Sequence, residues 1–297
     1  MKNYLIFNVG GTNLKFALFR DSKLSEKKKL PISYGTKKFQ TQLKQVIDSY
    51  RAKINGIAFS IPGKINSRTN IIDFGGNLSF LDGVDMKRLL GIPDDFPFIV
   101  ENDAKCAALA EHYQGALQNV NNGAVLVLGT SVGGGLIVNG KLLQGQHFQA
   151  GEVSFMTTTG NPCGMDQAYG SAGSAVQMII RVNQILGNGK STDGEKAFKA
   201  INAHNGGLWE IFQKYCRQIA SMIMNIHALL DMEIFAIGGG ISVQPIVVKE
   251  INYQYDEILN RMPITKRTLS RPIITQARFN NDANLYGAFN ALLKQNK

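Results

Sequence analysis

Cysteine is scarce in this sequence and long apolar runs are absent. These two features argue against a disulfide-rich protein and against a membrane-spanning one. The three cysteines, Cys106, Cys163 and Cys216, are odd in number and far apart, so we expect no disulfide framework and a reducing, cytoplasmic location. No run of about 18 apolar residues occurs, so no membrane span is predicted. The chain enters a strand pattern at Tyr4 without a basic segment and an apolar stretch ahead of it, so we expect no signal peptide.

Acidic residues are outnumbered by basic ones. The 22 Asp and Glu residues stand against 32 Lys and Arg, a formal charge of +10, which is compatible with nucleic acid, an acidic membrane or an anionic small molecule as the partner. The densest basic cluster, residues 27–29, lies in a predicted loop or strand end, and no basic stripe with interleaved aromatic residues occurs. We therefore favour a solvated surface and expect neither nucleic acid nor membrane as a partner.

A strand–turn–strand pattern occurs twice. Residues 4–9 and 15–19 form a predicted hairpin around a glycine turn, and the pattern returns at residues 125–138. Helical periodicity in between favours a mixed sheet with helices on its faces. The repeat predicts two similar domains with a boundary in the polar stretch 114–122. Further predicted elements are strands at 54–61, 98–100 and 234–237 and helices at 39–50, 104–112, 173–185, 219–230 and 282–293, with no prediction for 187–207.

Three glycine clusters follow apolar strands, at residues 10–11, 133–135 and 238–240. Glycine lets backbone N–H groups approach an anion, and successive N–H groups form an anion-binding nest. The neighbouring Thr12, Thr130 and Ser131 add hydroxyl groups. A single cluster could be a tight turn, but the three together favour a polyphosphate site. The sequence has no G-x-x-x-x-G-K-[ST] motif, and the first glycines separate two strands, so neither common nucleotide fingerprint fits.

Asn102 and Asp103 lie where a predicted strand ends and a helix begins. A helix N-cap explains such residues well. The alternative is that Asp103 is a base in a binding site, kept charged and only weakly basic by the helix N-terminus. Phosphoryl transfer tolerates a weak base, because its loose transition state depends more on positioning and charge stabilisation.

The ordered set of motifs resembles the ROK family of sugar kinases. The matching stretches are N-V-G-G-T-N-L-K at 8–15, I-P-G at 61–63, E-N-D-A at 101–104, G-T-S-V-G-G-G at 129–135, A-G-E at 150–152, I-G-G-G at 237–240 and D-A-N-L-Y-G-A at 282–288. The resemblance implies an α/β protein of two ribonuclease-H-like, actin-like ATPase domains around a central cleft. The expected limits are 1–117 with the C-terminal helix 282–297, and 118–281.

The resemblance also implies ATP-dependent phosphorylation of a sugar hydroxyl, usually on C6, with Mg²⁺ accompanying ATP. Asp103 would be the general base, and the sugar ligands would be Asn77, Asn102, Asp103, Glu152 and Gln167. The nucleotide-binding residues would be Asn8, Gly10, Gly11, Thr12, Asn13, Lys15, Gly129, Thr130, Ser131, Gly133 and Gly134, with Gly238, Gly239 and Gly240 near the adenosine. The family often forms dimers, so a homodimer is a further expectation.

Three features depart from the family pattern: the metal-binding position, the zinc site and one sugar-binding position. Asn8 replaces the usual aspartate that helps to hold Mg²⁺, so we expect weaker metal binding. The family's zinc-binding histidine corresponds to Phe155 here, and only Cys163 survives of the cysteine run, so we predict no structural zinc. Gln167 lies in a loop, residues 157–170, that is shorter than the family's, and takes the place of a sugar-binding glutamate. Zinc-less members with a similar A-G-E-x-x-x-M-T-T segment are kinases, some of which phosphorylate β-glucosides.

The sequence is also compatible with functions other than a kinase. Asn8 motivates the main alternative, a non-catalytic sensor of sugar or nucleotide. A repressor would need a helix-turn-helix domain ahead of the first turn, where only three residues precede Tyr4. A nucleic-acid-processing enzyme of the ribonuclease-H-like superfold would need clustered carboxylates for two metals, and the first turn has none.

Overall fold

The computed structural model describes residues 2–160 and 164–295. The chain forms two compact units: unit 1 is Met1–Tyr113, Gln144–Ala150 and Asp282–Lys297, and unit 2 is Gln114–Leu143 and Gly151–Asn281. The return of Gln144–Ala150 to unit 1 was not expected from the sequence, and the domain limits given above stay a prediction.

The strands are β1 Asn3–Val9, β2 Asn13–Arg20, β3 Lys23–Pro31, β4 Ile57–Ile61, β5 Lys64–Asn66, β6 Ile71–Phe74, β7 Val84–Asp85, β8 Phe98–Asn102, β9 Gly123–Leu128, β10 Val132–Val138, β11 Lys141–Leu142, β12 Ile234–Gly239 and β13 Ile273–Gln276. The α-helices are α1 Thr36–Tyr50, α2 Met86–Leu90, α3 Asp103–Gln114, α4 Tyr169–Ala172, α5 Ala175–Ile185, α6 Gly194–Asn202, α7 Gly206–Leu230, α8 Pro245–Arg261, α9 Pro263–Thr268 and α10 Ala283–Gln295. No described helix combines the length and the apolar character that crossing a membrane requires.

The larger sheet of unit 1 has the strand order β3-β2-β1-β4-β8. Strands β1, β2 and β3 pair antiparallel, whereas β4 and β8 extend the sheet in parallel from β1. On one face of β1, Phe7 stacks on Phe59 of β4 with ring centroids 4.6 Å apart. On the other face, α10 covers β1 through the contact of Tyr4 with Phe289. The inner strands are apolar because both of their faces are covered.

Three strands of this sheet end at one edge. Asn8 of β1 pairs with Ser60 of β4, and Ser60 pairs with Glu101 of β8. Since ligands of such α/β sheets bind beyond the carboxyl ends of parallel strands, this edge is where binding groups are expected. The smaller sheet of unit 1, in the order β5-β6-β7, begins just after β4.

The larger sheet of unit 2 repeats the same arrangement, with the order β11-β10-β9-β12-β13. Its first three strands pair antiparallel, and β12 and β13 extend the sheet in parallel. One strand order in both units explains the sequence repeat and confirms the predicted duplicated ribonuclease-H-like topology.

Some elements differ from the sequence prediction. Residues 27–29 lie inside β3, an edge strand whose mostly exposed polar side chains give no apolar pattern. The stretch without a prediction contains α6, which Asp193 caps by accepting a hydrogen bond from Lys196 N–H at 3.0 Å. Residues 133–135 lie within β10 and not in a turn.

Candidate functional site

The turn between β1 and β2 leaves its backbone accessible. Gly10 N–H donates to Asn13 O at 2.9 Å, and Asn13 Nδ2 donates to the hydroxyl of the exposed Thr12 at 2.8 Å. A Cβ at Gly10 would come no closer than 3.4 Å to another atom, and a Cβ at Gly11 would meet nothing within 4 Å. Neither glycine has a positive φ. Glycine therefore serves neither packing nor an unusual conformation here. Because the Gly10 N–H is already bonded to Asn13 O, the backbone donor to which the missing side chains give access is the Gly11 N–H.

Asn8 lies two residues before Gly10 and is half-buried. Its Oδ1 accepts a hydrogen bond from Asn284 Nδ2 in the first turn of α10 at 3.3 Å. Lys15, which was also assigned to nucleotide binding, lies in β2 and pairs with Asn8 across the hairpin. The oxygen that the sequence assigned to metal binding thus has a protein partner. Sequence reasoning did not single out Asn284, and the one signal for it was its place in the D-A-N-L-Y-G-A motif.

Strand β8 ends at Asn102, and α3 begins at Asp103. Asn102 is buried and is the N-cap of α3, since its Oδ1 accepts from Lys105 N–H at 3.1 Å. Its Nδ2 donates to Gly63 O at 2.9 Å, which ties the I-P-G motif to this strand end. The capping role considered for both residues therefore belongs to Asn102, and Asp103 is available for another one.

Asp103 is half-buried, and its Oδ1 accepts a hydrogen bond from Ala104 N–H at 2.8 Å. Burial raises the pKa of this carboxyl, and the backbone hydrogen bond from Ala104 lowers it by less. The expectation that the helix N-terminus keeps Asp103 charged and weakly basic was therefore wrong, because loss of hydration has the larger effect on its pKa. A carboxylate with a raised pKa is a stronger proton acceptor than an ordinary aspartate.

A buried polar cluster that sequence reasoning missed supports this junction. Glu101 and Lys105 are both almost fully buried, and the amide of Gln144 bridges them. Gln144 Nε2 donates to Glu101 Oε2 at 2.6 Å, and Lys105 Nζ donates to Gln144 Oε1 at 3.0 Å and to Phe148 O at 2.9 Å. Burial raises the pKa of Glu101, against the opposing effects of the Asn102 N–H, the Lys105 charge and the Gln144 amide. The cluster fixes the segment Gln144–Ala150 to unit 1.

Asn77 lies in the turn that follows β6 and is exposed. The turn is built by two hydrogen bonds, from Gly75 N–H to Asp82 Oδ1 at 2.7 Å and from Leu78 N–H to Gly75 O at 3.0 Å. The structure gives no contact that joins Asn77 to Asp103 in the described part of the chain, so its role in sugar binding stays a prediction.

The turn between β9 and β10 resembles the first turn only in part. Gly129 N–H donates to Ser131 O at 3.0 Å, and a Cβ at Gly129 would come no closer than 3.8 Å to another atom. Thr130 is exposed. The Ser131 hydroxyl lies 2.7 Å from the Ser154 hydroxyl and 3.2 Å from Gly170 O. The second turn thus has one accessible glycine and a serine that is already hydrogen-bonded within unit 2.

Three of the remaining glycines of these motifs, Gly134, Gly151 and Gly239, have packing roles. A Cβ at Gly134 would lie 2.3 Å from Gly151 O, and one at Gly151 would lie 2.6 Å from Gly134 O. A Cβ at Gly239 would lie 2.1 Å from Leu128 O of the neighbouring strand. Gly238 is ordinarily packed, and a Cβ at Gly240 would meet nothing within 4 Å. Gly151 of the A-G-E motif and Gly239 of the I-G-G-G motif thus pack against neighbouring backbone, whereas Gly240 of the I-G-G-G motif is accessible.

Glu152 follows Gly151 and begins a short 3₁₀ turn in which Phe155 N–H donates to Glu152 O. Gln167 is half-buried, and its carbonyl accepts from both the N–H and the hydroxyl of Thr158, each at 2.8 Å. These two bonds join the ends of the shortened loop. Phe155, at the family's histidine position, is 64% exposed.

The zinc prediction concerns this same loop. Cys163 lies outside the described residues, and among those that are described no group of three or more His, Cys, Asp or Glu side chains is arranged to hold a metal ion. The absence of structural zinc stays a prediction.

The two turns fit a polyphosphate, because Gly10, Gly11 and Gly129 have space in front of their backbones that a Cβ would occupy. Asp103 fits a base. The first turn offers no carboxylate, so it fits a divalent cation less well than it fits phosphate.

Comparison with known proteins gives the family. The sequence matches the ROK family over residues 4–296. The chain belongs to the ROK family. A β-glucoside kinase of Listeria monocytogenes is 27% identical over 293 residues, which cover 97% of each protein. One of Klebsiella pneumoniae is 30% identical over 246 residues, 80% of this chain and 82% of that protein. A solved ROK family protein of Streptococcus pneumoniae, in complex with sucrose, has a TM-score of 0.88 at 27% identity over 99% of both chains. These findings confirm the predicted family and the actin-like fold.

Proposed function

We propose that this ROK family protein transfers the terminal phosphoryl group of ATP to a hydroxyl group, the 6-OH, of a hexose or hexoside. The enzyme class, a carbohydrate kinase, is the one that its named relatives support. The observation that carries the finer proposal is Asp103, a half-buried carboxyl with a raised pKa at the end of β8.

Asp103 is the general base in this proposal. It takes the proton of the sugar hydroxyl while the hydroxyl oxygen forms a bond to the terminal phosphorus of ATP. The bond from that phosphorus to the bridging oxygen breaks, and ADP leaves with the electron pair. Because the transition state is loose, the base acts late and its position matters more than its strength. Asn102 fixes that position, since it caps α3 and anchors to Gly63.

The phosphate groups bind at both glycine turns, where the missing side chains let them approach the backbone. Unit 1 supplies Gly10, Gly11, Thr12, Asn13 and Lys15, and unit 2 supplies Gly129, Thr130, Ser131, Gly133 and Gly134, with Gly238, Gly239 and Gly240 toward the adenosine. A divalent cation, Mg²⁺, accompanies ATP and screens its phosphate charge. This assignment has its strongest support where packing does not explain why the residue is glycine, at positions 10, 11, 129 and 240.

The sugar binds through Asn77 and Asn102 of unit 1 and through Glu152 and Gln167 of unit 2. Among hexosides we favour β-glucosides, because the relatives from Listeria and Klebsiella are β-glucoside kinases over most of this chain. The shortened loop closed by Thr158 and Gln167 is the part of unit 2 where a glycoside could be distinguished from a free hexose.

The variant Asp103→Asn tests the base. Removal of a general base lowers turnover by about 10²–10⁴-fold. Burial raises the pKa of Asp103 in the folded protein above the ordinary value of 3.8, because the charged carboxylate loses hydration. Relative to the unfolded chain, Asp103 therefore stabilises the fold below pH 3.8. That contribution is lost as the pH rises through the raised pKa. The variant should therefore turn over far more slowly than the wild type yet be more stable near neutral pH, and the difference in stability should vanish in acid. Coupled ADP release and urea unfolding across pH measure the two effects.

A panel of hexoses, amino sugars and β-glucosides in the same assay separates the kinase from a sensor. Asp95→Asn, an exposed charge-matched change in the same unit, should leave turnover unchanged. Wild-type turnover by Asp103→Asn would remove Asp103 from its role. Sugar binding by the wild type without turnover on any member of the panel would favour the sensor.

A further inference from the structure

We propose that Asn284 holds the side chain of Asn8 so that its amide nitrogen, and not its oxygen, is offered to the phosphates of ATP beside the first glycine turn. The proposal rests on the proposed function for its ligand. Position 8 is then a phosphate donor, and Asn284 is a positioning residue that acts through it.

The packing of α10 fixes Asn284. Side chains alternate along β1, so Asn8 shares its face with Tyr4 and Ile6, the face that α10 covers. Helix α10 itself lies close against α3, because a Cβ at Gly287 would be only 1.7 Å from Cys106 O. The first turn of α10 is therefore held over the end of β1, where Asn284 reaches Asn8.

The hydrogen bond then determines which end of the Asn8 amide is engaged. Asn284 Nδ2 donates to Asn8 Oδ1 at 3.3 Å, and both side chains are half-buried. A planar amide carries its oxygen and its nitrogen on opposite sides, so the NH₂ group of Asn8 is turned away from Asn284. In the described part of the chain no acceptor is bonded to it.

The chemistry of the ligand follows from this orientation. An NH₂ group can donate to a phosphate oxygen, as the backbone N–H of Gly11 can, whereas a divalent cation requires oxygen ligands. Because its oxygen is bonded to Asn284, Asn8 adds its NH₂ group to the hydrogen-bond donors of the first turn. The first turn then binds the nucleotide through its phosphate oxygens with or without a metal ion.

A double-mutant cycle on ATP binding tests the proposal. Calorimetry with ATP in EDTA should show that Asn8→Leu weakens metal-free binding about tenfold, the loss of one hydrogen bond to a charged group. Asn284→Leu should weaken it several-fold, and the double variant should be no weaker than Asn8→Leu. Mn²⁺ binding to the protein without nucleotide, measured by spin resonance, should be unaffected by either variant. Asn290→Leu, the same change at a buried position of α10 whose Nδ2 has no described partner, should match the wild type.

Two results would overturn the proposal. One is that Asn8→Leu leaves metal-free ATP binding unchanged while it weakens Mn²⁺ binding, which would make the Asn8 oxygen a metal ligand. The other is an equal effect of Asn284→Leu with and without Asn8, at an unchanged melting temperature, which would mean that Asn284 contacts the nucleotide itself. A wild-type protein that binds no ATP would refute the kinase function as well, so the two failures are distinguishable.

Discussion

The two five-stranded sheets share one strand order, yet the chain segments packed beside the proposed site residues are held in different ways. In unit 1, side chains do so: the amide of Gln144 joins the buried Glu101 and Lys105 beside the β8–α3 junction. In unit 2, the backbone does so: Gly134 and Gly151 approach so closely that neither can carry a Cβ. The shared strand order therefore does not determine how neighbouring segments are fixed in place. Side-chain hydrogen bonds do so in unit 1, and close backbone packing does so in unit 2.

The variant Lys105→Met should produce the largest loss of stability. It removes one partner from a buried charged cluster and leaves Glu101 without a compensating cation, which costs about 3–5 kcal/mol of unfolding free energy. Urea unfolding at neutral pH measures the effect.

The double variant Glu101→Gln/Lys105→Met is the control for this interpretation. It removes both charges, so it should lose much less than the sum of the two single variants. Simple additivity would show that the two charges do not depend on each other, and the contrast with unit 2 would disappear.

The variant Gly134→Ala should destabilise unit 2 through the backbone. Because its new methyl group would lie 2.3 Å from Gly151 O, strand β10 and the A-G-E segment must move apart. We expect a loss of about 1–3 kcal/mol by thermal or urea unfolding. Gly129→Ala, in the same hairpin but with open space at its Cβ, should keep its stability. Equal losses in the two variants would contradict a packing role that is specific to Gly134.

Much of the fold was predictable, because apolar strands and glycine turns are local patterns. The hairpin at β1 and β2 and its repeat at β9 and β10 were both recognised. Strand β3 was missed, because an edge strand is defined by backbone pairing and its exposed side chains show no apolar alternation.

The site was predictable only as a set of residues. The roles of Asn102 and Asp103 could not be divided from the sequence, since either side chain can cap a helix. Gln144 and Asn284 were missed because their partners lie 43 and 276 residues away along the chain. The raised pKa of Asp103 depends on burial, which no motif reports.

The variants Gly11→Ala and Gly129→Ala compare the accessible positions of the two turns. Each adds a methyl group where the structure has space, so stability should stay the same or rise slightly. Each methyl group would stand between the backbone and a phosphate and keep the phosphate at a distance, so ATP should bind about tenfold more weakly, an effect as large as the loss of one charge-assisted hydrogen bond. Calorimetry with ATP measures the affinity of both variants, and thermal unfolding measures their stability. Unchanged affinity in either variant would remove that turn from the nucleotide site.

Position 8 marks the smallest difference between the turns that can be tested. Two residues before the turn glycine, unit 1 has Asn8 and unit 2 has Val127. Asn8→Asp would keep an oxygen for the hydrogen bond from Asn284 and would present a second, charged oxygen in place of the NH₂ group. Carboxylates are the preferred ligands of Mg²⁺, so half-maximal turnover should need a several-fold lower Mg²⁺ concentration, while ATP in EDTA should bind more weakly. Titration of Mg²⁺ in the ADP-release assay measures the first effect, with Asn139→Asp in the β10–β11 turn as the charge-matched control. An unchanged Mg²⁺ requirement would mean that the metal does not approach position 8, and that the two turns differ there only in how they contact phosphate.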